Sequence, residues 1–173
     1  LLLQFGVHLH HVLAESGLPP GMFDHPDNLV PFRDGSRLLG LCAERAGCAH
    51  LGLLIGRHTP LESLGFVADL VKAAPDVRSA LGLLARYLKL SDGGGLLALH
   101  EDSYLASCSY VLYEPGIECA EIIYDIGLGT LWNILRGLCG DHWLSREDQL
   151  MRRRPVDIRP YRSFLGARLR FDC

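Results

Sequence analysis

The sequence predicts an α+β fold, in which a helical first half gives way to a small antiparallel hairpin packed on one long helix. Three observations predict it. Apolar residues recur at helical spacing through most of residues 7–90. The period then drops to two in residues 104–113, just after the break Ser91-Asp92-Gly93-Gly94-Gly95. A helical period returns over 117–138.

Each element follows from local signals. Residues 7–16 place Val7, Leu9, Val12 and Leu13 at helical spacing and stop at Gly17 and Pro19-Pro20. Residues 21–31 are rich in Pro, Asp and Asn and read as a loop. A helix over 32–46 repeats apolar positions at 38, 39, 41, 42 and 46 and ends at Gly47. Short apolar helices follow over 49–56 and 65–74, the second closed by Pro75. Asp76 caps a stronger helix over 77–90, with Leu81, Leu84, Ala85 and Leu88 on one face. Two strands, 96–100 and 104–113, turn at Glu101-Asp102-Ser103. In the second, Tyr104, Ala106, Cys108, Tyr110 and Leu112 share a face. Pro115-Gly116 turns the chain into the long helix, which tolerates Gly127 and Gly129 and ends at Cys139-Gly140-Asp141. The tail holds a strand near 149–152, a short helix over 158–165 and a last strand over 168–171.

Composition bounds the function. The 173 residues are 49% hydrophobic and 21% charged, with a net charge of −3. That excludes disorder and allows one domain, residues 1–173, with a core needing no metal or disulfide. No stretch free of charged residues approaches the roughly 20 residues of a membrane helix. Leu1, Leu2 and Leu3 lack a basic flank and a cleavage site, so no signal peptide is expected. The missing initiator Met and the stop at Cys173 read as a fragment of a longer chain. Six cysteines without a C-x-x-C pair, mostly among apolar neighbours as in Leu41-Cys42-Ala43 and Leu138-Cys139-Gly140, read as buried free thiols of a cytoplasmic protein. Residues 141–173 carry net +3 against −6 for the rest, but the domain is not basic overall, as a nucleic-acid binder normally is.

No constellation calls for catalysis, a metal or a cofactor. His8, His10 and His11 lack a third ligand at helical spacing and read as an exposed helix face. Gly93-Gly94-Gly95 has no Lys-Ser/Thr and leads into a strand, so it reads as a flexible turn rather than a phosphate loop. Ser91, Ser107 and Ser109 form no nucleophile elbow, and Cys42 near His50 has no orienting partner. Glu118, Glu121 and Asp125 form a stripe on the long helix; the simple reading is a solvated face, the sharper one a carboxylate lining a pocket. Arg152-Arg153-Arg154 reads as a solvated run or an interdomain contact. Tyr124, Leu128 and Trp132 share a helix face, which is either core or the wall of a cavity shared with Cys108 and Tyr110.

Several phrases, in order, resemble the N-terminal regulatory domain of AraC-type transcriptional regulators, in the arabinose-binding-like form distinct from the cupin type. They are LAESGLPP (13–20), LGLLIG (51–56), Leu64-Gly65 followed by VRSALGLLARY (77–87), Leu138-Cys139-Gly140 with Trp143, and the close at Pro155, Tyr161, Phe164-Leu165-Gly166 and Phe171-Asp172. The likeness covers nearly the whole chain. It departs at Leu144-Ser145, where a Pro is usual, at Arg152-Arg153-Arg154, where a His is usual, and at the 91–95 break. The resemblance implies a small-molecule effector as partner, and DNA binding only through a helix-turn-helix domain outside residues 1–173. The expectation is therefore a non-enzymatic bacterial-type sensor. Its effector pocket would be formed by Cys108, Tyr110, Glu121, Tyr124, Leu128 and Trp132, with the Tyr hydroxyls and Glu121 as polar anchors. The competing reading is a dimerisation module without a ligand.

Overall fold

Helices α1 (Leu9–Ser16), α2 (Phe32–Arg45), α3 (Leu51–Arg57), α4 (Phe66–Lys72) and α5 (Val77–Tyr87) make up the first half of the chain. The computed structural model describes residues 1–25, 28–166 and 168–173. Strands β1 (Gly95–Glu101) and β2 (Ala106–Leu112), helix α6 (Ala120–Cys139), strand β3 (Glu147–Leu150), helix α7 (Arg159–Leu165) and strand β4 (Arg168–Phe171) follow. The architecture is α+β, as the patterning predicts.

Helix ends follow the expected chemistry. Gly17 closes α1 at φ 75°, a left-handed conformation that glycine adopts without a Cβ penalty. The Asp76 carboxylate accepts from the Ser79 N–H at 2.8 Å, capping α5. Helix α1 starts two residues later than its apolar pattern, because a 3₁₀ turn, Leu2–Phe5, occupies the chain before it. A second such turn, Pro20–Phe23, lies in the predicted loop; residues 26 and 27 of that loop are outside the described residues.

The hairpin pairs Leu97 with Tyr110, Leu99 with Cys108 and Glu101 with Ala106. Cys108, Tyr110 and Leu112 face inward as expected, but Tyr104 is 97% exposed and outside the strand. The Asp102 carboxylate accepts from the N–H groups of Tyr104 and Leu105 at 2.7 and 2.8 Å, which ends the ladder before Tyr104 can join it. Gly93-Gly94-Gly95 is a packed turn rather than a loose one. Asp92 Oδ1 accepts from the Gly94 and Gly95 N–H groups, both at 3.0 Å. A Cβ on Gly94 would lie 2.4 Å from the Phe32 ring, and one on Gly95 2.3 Å from the Tyr110 hydroxyl.

Strand β3 begins and ends two residues before the predicted 149–152 and pairs in parallel with β4, so that Glu147 meets Arg168 and Leu150 meets Phe171. Helix α7 provides the crossover that a parallel pair requires.

Helix α6 joins three buried clusters found among the described residues. Ile122 and Ile123 pack with Val12, Leu13, Leu38, Cys42 and Leu51 of α1–α3. Ile134 packs with Val67, Leu81, Leu84 and Leu97 of α4, α5 and β1. Trp132 packs with Leu53, Leu150, Tyr161 and Leu165. Helices α3 and α6 cross at glycines. A Cβ on Gly52 would lie 2.4 Å from the Ile122 carbonyl oxygen, one on Gly56 2.5 Å from that of Ile126, and one on Gly129 2.9 Å from the Gly56 backbone. The glycines permit this backbone approach, which is why α6 carries Gly129 in its interior. Among the described residues no helix is long and apolar enough to cross a membrane.

All six thiols are free, but not all are buried: Cys42 and Cys48 are, Cys108 and Cys119 are half-buried, and Cys139 and Cys173 are exposed. Cys139 ends α6 where the apolar face has run out, so apolar sequence neighbours do not bury it. Burial pushes the Cys42 and Cys48 thiols above their ordinary range. In native protein a maleimide is expected to label Cys139 and Cys173 first and to reach Cys42 and Cys48 only on unfolding. Peptide mapping checks the order; rapid labelling of Cys42 would contradict it.

Candidate functional site

A cleft of about 1010 Å³ opens between β2, α6 and the segment that runs from Trp143 through β3. A small organic molecule fits in a space of that size. Its position follows from the two periodicities. Cys108 and Tyr110 are on the inward face of β2, and Tyr124, Leu128 and Trp132 recur every four residues on α6. All five line the cleft. Gly127 lets the sheet approach the helix, since a Cβ there would lie 2.7 Å from the Tyr110 ring. The Tyr110 and Tyr124 rings meet edge to face with centroids 6.3 Å apart.

Glu121, the sixth expected residue, is not among the lining residues. It lies one turn before Asp125 on α6, where Oε1 accepts from the Arg153 N–H at 3.1 Å and Oε2 lies 3.6 Å from Arg152. The Tyr110 hydroxyl is also committed: it donates to Asp92 Oδ2 at 2.6 Å. Burial and that bond push its pKa upward. Two of the polar anchors expected from sequence, Glu121 and the Tyr110 hydroxyl, are therefore engaged within the protein.

Asp125 overturns the solvated-stripe reading. It is 1% exposed and is among the residues lining the cleft. Its Oδ2 accepts from the Tyr161 hydroxyl at 2.6 Å and from Nη1 of Arg152. Arg152 also donates to the Tyr161 oxygen at 2.6 Å and to the Ala49 carbonyl at 3.3 Å. Arg152 is thus a buried ion-pair partner, not part of a solvated run, whereas Arg153 and Arg154 are exposed. The cluster ties α6, the turn after β3, α7 and the entry to α3 to one another. Burial lifts the Asp125 carboxyl to about 6, while the Tyr161 hydroxyl bond and the Arg152 charge restrain the rise.

The tail supplies lining residues that the sequence reading missed: Trp143, Ser145, Asp148 and Leu150 among them. The Asp148/Leu150 alternation was a signal, since both are buried while Gln149 between them is exposed. Three polar or charged residues in succession, Glu147-Asp148-Gln149, hid it.

No curated protein matches the chain. The family model described as the arabinose-binding domain of AraC transcription regulators, N-terminal, matches residues 6–173. Nearly the whole sequence, from just after the first 3₁₀ turn through β4, thus fits one family pattern, and the chain belongs to the family of N-terminal arabinose-binding domains of AraC transcription regulators.

Proposed function

We propose that this domain senses a small, predominantly apolar effector bound in the cleft between β2, α6 and β3. The observation that carries the reading is the convergence of aromatic and aliphatic side chains from two separate elements, Cys108 and Tyr110 with Tyr124, Leu128 and Trp132, on one large cavity. The family's description names arabinose. A sugar needs a dense set of polar side chains, and here the Tyr110 hydroxyl, Asp125 and Arg152 already bond one another or Asp92. Binding would act in the cytoplasm by shifting a population of states rather than by catalysis. It would be read out through a DNA-binding domain outside these residues, which leaves no role for specific DNA binding by residues 1–173.

Both tryptophans, Trp132 and Trp143, line the cleft, so intrinsic fluorescence reports on it. The neutral apolar dye N-phenyl-1-naphthylamine is expected to bind with tryptophan quenching and a rise in dye emission. Trp132→Ala should weaken that binding about tenfold. Trp132 is also buried against Leu53, Leu150 and Tyr161, so its loss should in addition cost roughly 3–5 kcal/mol of stability. Absence of dye binding to wild-type protein would refute the reading.

A second reading, self-association, rests on the outer face of the hairpin. Leu96 and Val111 are directly paired there and both exposed, with Leu105 and Tyr113 nearby in the chain. Sedimentation velocity with and without the dye separates an apo dimer from a monomeric sensor.

A further inference from the structure

The charged residues lining the cleft differ in what they have left to offer. Asp125 is held by Arg152 and Tyr161. Asp148 is 7% exposed and has the adjacent Ser145 hydroxyl as its side-chain partner. Glu147 accepts from Gln149 at 2.9 Å and lies 3.5 Å from Arg170 and 3.8 Å from Arg168. Each carboxylate of the cleft, and Arg168 with them, thus has a partner inside the protein. Arg146 has none: among the described residues its exposed guanidinium makes no hydrogen bond, ion pair or ring contact. The half-buried Tyr124, the third polar anchor expected from sequence, likewise makes no hydrogen bond through its hydroxyl among the described residues. The charged acceptors are taken, and donors are left over. A guanidinium keeps its charge throughout the physiological pH range, and its planar fork of N–H groups matches a carboxylate.

The surface around Arg146 is apolar. Leu105, Leu144 and Met151 line the cleft and are 47%, 60% and 48% exposed, so they mark its mouth. Leu128, Leu131 and Leu135 line it from α6 and are half-buried. A ligand with an extended apolar body would remove both sets from water.

On the reading that the cleft holds an effector, we propose that this effector is an amphipathic acid, with an apolar body along the leucines of α6 and a carboxylate head that pairs with Arg146 at the mouth. The apolar wall supplies most of the affinity and Arg146 chooses the head. An alcohol gains the wall without the ion pair. An amine gains the wall and meets a like charge. Because Arg146 is exposed, solvent screens the pair, and its effect on affinity is a matter of a few fold. The field of the whole chain works the other way: a net charge of −3 draws cations and repels anions. A preference for the acid must therefore come from local pairing.

The test displaces N-phenyl-1-naphthylamine with decanoate, decanol and decylamine, each below its aggregation limit, near neutral pH and at low salt. Wild-type protein, Arg146→Gln, Arg146→Glu and Arg162→Gln are compared. Arg162 is exposed on α7 and is not a lining residue, so its variant controls for the loss of one positive charge. In wild type decanoate should displace the dye about fivefold more strongly than decylamine. Arg146→Gln should bring the two to within about twofold and leave decanol unchanged, Arg146→Glu should reverse their order, and Arg162→Gln should keep the wild-type gap. Arg146 has no partner to lose, so its variants should retain the wild-type circular dichroism spectrum and melting temperature. Decylamine equal to or better than decanoate in wild type, or a gap that survives Arg146→Gln, overturns the acid head and leaves the cleft reading standing. Failure of the dye to bind removes the cleft reading, and this one with it.

Discussion

Asp125→Ala is expected to cost about 3–5 kcal/mol in urea unfolding at neutral pH, because it leaves the Arg152 guanidinium buried with its main partner gone. Glu121, 3.6 Å away and half-exposed, compensates only in part. The Tyr161 hydroxyl, on a residue with no solvent exposure, also loses its acceptor. Arg152→Ala should cost less, since the two partners are not equivalent. A guanidinium cannot give up its proton, whereas the Asp125 carboxyl, already lifted to about 6, rises further and takes one up. The sign of the pH dependence follows. The folded chain holds this proton over a range where the unfolded chain, near the ordinary 3.8, has released it. Stability from Asp125 should therefore climb by about 1 kcal/mol as pH falls from about 7 to about 5 in wild type, and more steeply in Arg152→Ala. The double mutant should lose less than the sum of the singles, because each already breaks the same pair. Single mutants within about 0.5 kcal/mol of wild type would show that the cluster does not hold α7 and β3 to α6.

Opposite outcomes are expected from one substitution at two glycines of α6. Gly129→Ala places a methyl group 2.9 Å from the Gly56 backbone, where no side chain can rotate away, and should cost about 1–3 kcal/mol. Gly56→Ala, 2.5 Å from the Ile126 carbonyl oxygen, should cost at least as much. Gly137→Ala meets nothing within 4 Å and should stabilise by about 0.5–1 kcal/mol, the ordinary helix preference of alanine over glycine. Gly82→Ala on α5 is a second open position of the same kind. Thermal unfolding of the four variants separates the crossing from the helix. If Gly129→Ala and Gly137→Ala shifted the melting temperature in the same direction, close approach of α3 and α6 would not be what Gly129 provides.

The elements legible in the sequence are those built from local signals. The α5 cap, the hairpin period and the length of α6 each depend on residues within a few positions of one another, and each sits where those residues indicate. The inward faces of β2 and α6 were legible for the same reason. What escaped depends on pairs far apart in the chain. Asp125 and Arg152 look like two solvated charges until the turn after β3 brings them together. The parallel pairing of β3 with β4 has no hairpin turn to announce it. Gly129 reads as a tolerated interruption, and Gly52 and Gly56 carry no local signal, because a glycine's reason for being there is the backbone opposite it. Ser145 and Arg152 lie where the sequence departs from the familiar pattern, and the structure gives both positions a role in or beneath the cleft.

Helix α6 contributes Ile122, Ile134 and Trp132 to three different buried clusters. A cluster cannot open by itself while its share of that helix is clamped in the other two. Subglobal openings should therefore be confined to the edges, such as the 3₁₀ turn before α1 or the hairpin tip. Amide protons through the middle of α6 should exchange only when the whole chain unfolds. The same linkage makes stabilisation communal: whatever tightens one flank of α6 slows hydrogen exchange on the flanks it never touches.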